Sequence, residues 1–311
     1  MNFPRPNEPM GEAWFQGDDR VMFTTLLEQP IAEAPIELIE NVLWEISSGI
    51  SSFGHRREWH VWFKHLLPHL IIRGNQAHAF HALVESTVTA FMNVFWNGIT
   101  EEYPGFGADV FDSLALCLMA PDVWVESSNN QLQRPHTYPL FLVGENDDGA
   151  LEPLFWHAGK SNNQLSCMMF FGLKYLPTSK IPAWVSSLLA IENPYWKGAV
   201  LVWLLGAQDL LEEKIALASK IEKTSPSVKW NNSHVLGSRY GSIDAEEPPC
   251  AEFNDNKDFL PAQNNPLFLA EIKRQLMPEM LIQWTDAIAT EPNLDGALLY
   301  TPDLLFDRLM R

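Results

Sequence analysis

The sequence predicts an all-α protein in which antiparallel helical hairpins stack as a curved solenoid-like array or a large helical bundle. Three observations carry that expectation. Apolar residues recur with a spacing near 3.6 along most of the 311-residue chain. Proline and glycine interrupt this pattern roughly every 12 to 20 residues, the rhythm of short helices joined by turns. Runs with the strict alternation of a half-buried strand are few. An apolar content of 46%, with 12% aromatics, is enough for a sizeable core and argues against disorder.

Residues 1–20 read as an irregular segment, because Pro4, Pro6 and Pro9 break any helix there. A main helical domain follows over 21–224, with a first helix near 20–29. Pro35 opens the next, with Ile36, Ile39, Val42, Leu43 and Ile46 on one side and Gly49 just past its end. A helix over 57–70 and a turn at Ile72 to Gly74 come next. The longest helix is expected from an Asn75 cap to Trp96, stopped by Asn97 and Gly98; Phe80, Val84, Val88, Phe91 and Phe95 form its buried stripe. Further helices read at 106–120, 161–176, 181–192, 194–206 and 208–224, then at 265–276, 278–290 and 301–310. Pro182, Pro194, Pro266, Pro278 and Pro302 suit first helical turns, where a missing N–H costs little. Short connections predict antiparallel neighbours.

Two long irregular loops are expected, at 121–150 and 225–263, both rich in Ser, Asn, Pro and acids. His136 to Val143 and Val228 to Tyr240 could supply short extended pieces, although Pro139 demotes the first. The acidic loop 225–263 sets off C-terminal helices over 264–311 that pack on the main domain. No fixed-period repeat signature is present.

Charge bounds the partners. With 21 basic and 39 acidic side chains the formal net charge is −18, which argues against nucleic acid and anionic membranes as partners. A basic or neutral protein fits better. The longest apolar stretch, Gly198 to Ala207, is about half of what a bilayer requires, so no membrane insertion is expected. The first residues lack the apolar run of a secretory signal, and Cys117, Cys167 and Cys250 are odd in number and far apart. A cytoplasmic protein with reduced thiols is the expectation.

One island departs from this acidity. His55, His60, His65, His69, His78 and His81 fall within 27 residues, together with Arg56, Arg57, Lys64 and Arg73 against the single acid Glu58. At about 100° per residue, Glu58, His65 and His69 share one face of the first helix, and His78, His81 and Glu85 one face of the second. Two imidazole pairs and two carboxylates could thus converge across the hairpin, a set suited to zinc or to a di-metal site between facing helices. Pro68 opposes this by kinking or ending the first helix. The alternative is partly exposed histidines at the edges of amphipathic helices, or a pH-responsive polar cluster.

A second candidate is the loop 225–263, where Trp230, Tyr240 and Phe253 are interspersed with Asp244, Glu246, Glu247, Glu252, Asp255 and Asp258. Aromatics beside acids on a long loop suit partner docking, and a solvated acidic loop is the plainer reading. Twelve tryptophans are about three times ordinary usage. Trp59, Trp62, Trp184, Trp196 and Trp203 are expected to fill gaps between helices; the alternative is a concave aromatic surface for sugars or a hydrophobic peptide.

No His-Glu-x-x-His, Gly-x-Ser-x-Gly or Walker pattern occurs, and Gly105 and Gly107 match only part of a dinucleotide fingerprint. The expected function is therefore a non-enzymatic protein-binding role, as an inhibitor, immunity-type protein or adaptor, with no cofactor. The competing expectation is an all-helical enzyme, metal-dependent at the 58–85 hairpin or carbohydrate-active through an unassigned acid pair.

Overall fold

The apolar stripe after Pro35 folds as expected and organises the first half of the chain. In the computed structural model Ile39, Val42, Leu43, Ile46 and Ile50 are all buried along one helix, and Pro35 immediately precedes it. The structure describes residues 3–14, 17–54, 56–77, 79–96, 98–115, 141–145, 151–156, 160–212, 228, 264–290 and 301–307. These are predominantly helical, with one short antiparallel strand pair.

The chain divides into two compact units, Met1–Cys117 with Asn232–Leu260, and Leu118–Asn231 with Pro261–Arg311. The division falls inside the stretch 21–224. The first unit contains α1 (Thr25–Glu28), α2 (Ile36–Phe53), α3 (Arg57–Ala77), α4 (Ala79–Val94) and α5 (Phe106–Val110). Helix α4 packs against both α2 and α3. Phe63 of α3 meets Phe91 and Phe95 of α4 edge-on, at centroid distances of 6.3 and 6.4 Å. Asn93 is buried in the same layer, and its Nδ2 donates to the Ser47 carbonyl of α2 at 2.9 Å. A buried amide satisfied in this way fixes register, because sliding either helix would leave it unpaired.

Several sequence expectations are corrected here. Gly49 does not follow α2 but lies inside it. A Cβ there would stand 2.6 Å from the Trp59 ring, so glycine serves the close approach of α3, and the helix ends at Gly54 (φ 85) instead. The turn expected at Ile72 to Gly74 and the cap expected at Asn75 are both inside α3, which continues to Ala77. Tertiary burial of Leu66, Leu67, Leu70 and Ile71 outweighs the local breaking tendency of Gly74 and Asn75. Pro68 likewise sits within α3 without ending it. It lies on the half-exposed side, where water can satisfy the carbonyl that a proline leaves unbonded. The helix expected over 106–120 is α5 followed by a wider π turn at Phe111–Ala115.

The second unit holds the strand pair, β1 (Phe141–Glu145) and β2 (Leu151–Trp156), and the helices α6 (Lys160–Tyr175), α7 (Ile181–Leu189), α8 (Pro194–Gly206), α9 (Gln208–Leu211), α10 (Asn265–Gln275), α11 (Pro278–Ala289) and α12 (Thr301–Leu305). The strands correct the expectation of an irregular loop over all of 121–150. Strand β1 begins beyond Pro139, and Pro153 of β2 pairs with Val143 at a register irregularity, where a missing N–H is tolerated. Helix α8 packs on α6, α11 and α12, and α7 on α10. Trp203 and Phe268 are fully buried at their centre. Asn193 caps α8 by accepting from the Trp196 amide at 3.2 Å.

Candidate functional site

The His-rich helix α3 is covered on a second flank by the chain's own N-terminal segment. Glu58, Trp62, His65 and His69 lie within about 60° of one another on this helix, beside the stripe that faces α2 and α4. Trp62 Nε1 donates to the Glu8 carbonyl at 3.0 Å, and Trp59 Nε1 to the Gly11 carbonyl at 3.4 Å. Nδ1 of His65 lies 3.1 Å from the Phe3 carbonyl oxygen. A carbonyl can only accept, so Nδ1 carries the hydrogen. Residues 3–11 therefore run along α3 in the opposite direction to the helix, each contact about one helical turn from the next.

Apolar contacts complete the seat. Met10 and Ala13 are fully buried. The Phe3 ring meets Phe106 at 5.7 Å and Tyr103 at 6.0 Å. Residues 10–12 then pair with residues 21–23 through a Gly11–Met22 bridge and a bond from the Glu12 amide to the Val21 carbonyl at 3.0 Å. Arg20 ends this excursion: it pairs with Glu58 and donates to the Glu12 carbonyl at 2.7 Å.

The sequence-predicted site residues are thereby distributed as follows. Glu58 holds Arg20, and His65 holds Phe3. The His65 and His69 rings are edge-on at 5.3 Å. Burial, and then the neighbouring His65, lower the pKa of His69. Glu85 is half-buried on α4. His78 and the side chain of His81 lie outside the described residues. Among the described residues no group of three or more His, Cys, Asp or Glu side chains is arranged to hold a metal ion.

On the other flank of α3, Lys64 Nζ donates to Glu102 at 2.6 Å. Burial, reinforced by Lys64, pushes His60 down to about 4. Arg56 lies over the Trp59 ring, 5.1 Å from its centroid. Among the described side chains of the basic island, Arg56, Lys64 and His65 are thus engaged within the fold, whereas Arg57 is exposed. Trp59, Trp62, Trp184, Trp196 and Trp203 are all buried, as expected for gap-filling aromatics, and do not form an exposed sugar-binding surface.

Trp230, Tyr240, Asp244, Glu246, Glu247, Glu252, Phe253, Asp255 and Asp258 of the acidic loop lie outside the described residues. Sequence reasoning missed Phe3, Glu8, Gly11 and Arg20, the partners of α3. The signal that points to them is the run Pro4, Pro6, Pro9, which excludes both helix and strand ladder and leaves carbonyls in need of donors.

No protein-family model matches the chain, and comparison with curated proteins and with solved structures finds no similar protein. No helix among the described residues is long and apolar enough to cross a membrane.

Proposed function

We propose that this protein is a non-enzymatic binding protein, of inhibitor, immunity or adaptor type, that engages a basic or neutral protein through an acidic surface. The observation that carries the reading is the state of charge in residues 1–53. They hold nine acidic side chains and two arginines. Both arginines are engaged internally: Arg5 on the carbonyls of Leu26 and Gln29, and Arg20 on Glu58. Glu8, Asp18, Asp19, Glu28, Glu33 and Glu37 are exposed. Such a field steers a cationic partner and raises its association rate.

In the same reading the helices of each unit are antiparallel hairpins, and the protein works in the cytoplasm without a cofactor. The acidic loop 225–263 is a second contact. A pull-down from the native organism at low and high salt tests the proposal. A basic partner retained at low salt and released at high salt supports it, since screening weakens exposed charge pairs. Retention indifferent to salt counts against it. Deletion of residues 242–258 with binding unchanged removes the loop from the reading.

A further inference from the structure

We propose that Trp14 and Trp44 anchor partner binding on the acidic surface of the first unit, by receiving the arginine or lysine side chains of an extended basic segment against their indole faces. This inference rests on the binding role proposed above and gives that contact a place and a chemistry.

The two indoles are 60% and 49% exposed, whereas Trp59, Trp62, Trp184, Trp196 and Trp203 are buried. One hydrogen bond brings the pair together. The Ala13 amide donates to Glu45 Oε2 at 2.7 Å, and Trp14 and Trp44 are the chain neighbours of those two residues. Their Cα atoms are therefore at most about 16 Å apart, a distance that about five extended residues span. The Phe53 ring holds Trp14 edge-on at 4.9 Å, so this indole is placed before a ligand arrives and less is spent on ordering it.

Charge decides the occupant. Glu37 and Glu40 precede Trp44 by two turns and one turn, within about 40° of it around α2. Asp18 and Asp19 are exposed a few residues beyond Trp14. Residues 1–53 contain no lysine, and Arg5 and Arg20 are both engaged internally. An apolar partner seated here would desolvate carboxylates without pairing them, whereas a cationic one pairs with them. A guanidinium or ammonium group over an indole face is attracted by the negative face of the ring. The chain uses the same contact internally, with Arg56 over Trp59 at 5.1 Å and Lys197 over Trp284 at 5.9 Å. Exposed ion pairs contribute little affinity by themselves, so the acids set the approach rate and the indoles hold the partner.

The probe is a fluorescently labelled peptide of alternating arginine and glycine, about ten residues long so that it reaches both indoles. Anisotropy with the full-length chain in about 0.15 M salt suppresses long-range attraction. The chain carrying Trp14→Leu and Trp44→Leu should bind about tenfold more weakly than the wild-type chain. Trp44→Leu alone, which leaves the Trp14–Phe53 contact in place, should lose about threefold. Peptides with glutamine or leucine in place of every arginine should bind far more weakly, and these arms change no residue of the protein. Absence of arginine-peptide binding to the wild-type chain at millimolar peptide overturns the proposal. Equal or tighter binding of the leucine peptide also overturns it and assigns the indoles to an apolar partner. Affinity that falls on Asp19→Lys with Glu33→Lys, but not on replacing either indole, overturns the proposal and leaves the acidic-surface reading standing.

Discussion

The indole N–H of Trp62 donates to the main-chain carbonyl of Glu8 at 3.0 Å, tying α3 to a residue 54 positions earlier in the chain. Trp62→Phe keeps most of the buried ring but leaves that carbonyl without its donor. It should destabilise the protein by about 1–2 kcal/mol, read as a lower urea midpoint with an unchanged slope. Loss of amide protection should concentrate at Glu12, Ala13 and Phe23, whose N–H groups bond Val21, Glu45 and Met10.

Gly49 and Gly172 are pressed by tryptophan rings. An added Cβ would lie 2.6 Å from Trp59 at the first and 2.2 Å from Trp184 at the second. Alanine normally stabilises a helix interior relative to glycine, yet at both positions it should destabilise by about 1–3 kcal/mol through overpacking. Thermal melts of the two single variants check the sign.

Asn93 bridges α2 and α4 from a buried position, donating to the Ser47 carbonyl at 2.9 Å and the Ser51 hydroxyl at 3.3 Å. Asn93→Ala should cost about 1–3 kcal/mol, because the lost amide leaves a small void and strands the Ser51 hydroxyl. Equilibrium denaturation measures it.

His60 confers a pH dependence whose sign follows from its surroundings. Burial first, and Lys64 second, hold it at about 4 in the folded protein, against 6.5 for the ordinary side chain. Between those values the unfolded chain binds the extra proton, so stability is present above 6.5 and falls as pH drops towards about 4. In His60→Gln the stability loss over that window should be smaller than in the wild-type chain, by denaturation at a series of pH values.

The helices that local chemistry terminates cleanly were legible in the sequence. Pro194 marks the start of α8, and the Pro266 and Pro278 signals mark α10 and α11. Gly49 was misleading because a glycine required for close packing carries the same local signal as one that ends a helix. Gly74 and Asn75 misplaced the end of α3 for a related reason: burial of the preceding apolar face overrides their propensity. Glu58, His65 and His69 lie in the one helix α3, whose period puts them on a common side. What covers it was not legible, since Phe3, Glu8 and Arg20 have no periodic relation to α3 and meet it only through the fold.

The charge-steered reading is tested most directly by reversing exposed acids on the surface that carries it. Asp19 and Glu33 are exposed and lie outside the seat of the N-terminal segment on α3. Titration calorimetry of the captured basic partner against a chain carrying Asp19→Lys and Glu33→Lys should show binding weakened about tenfold at low salt, with the difference shrinking as salt rises. Equal affinity of the reversed and wild-type chains at low salt would contradict a role for this acidic surface in binding.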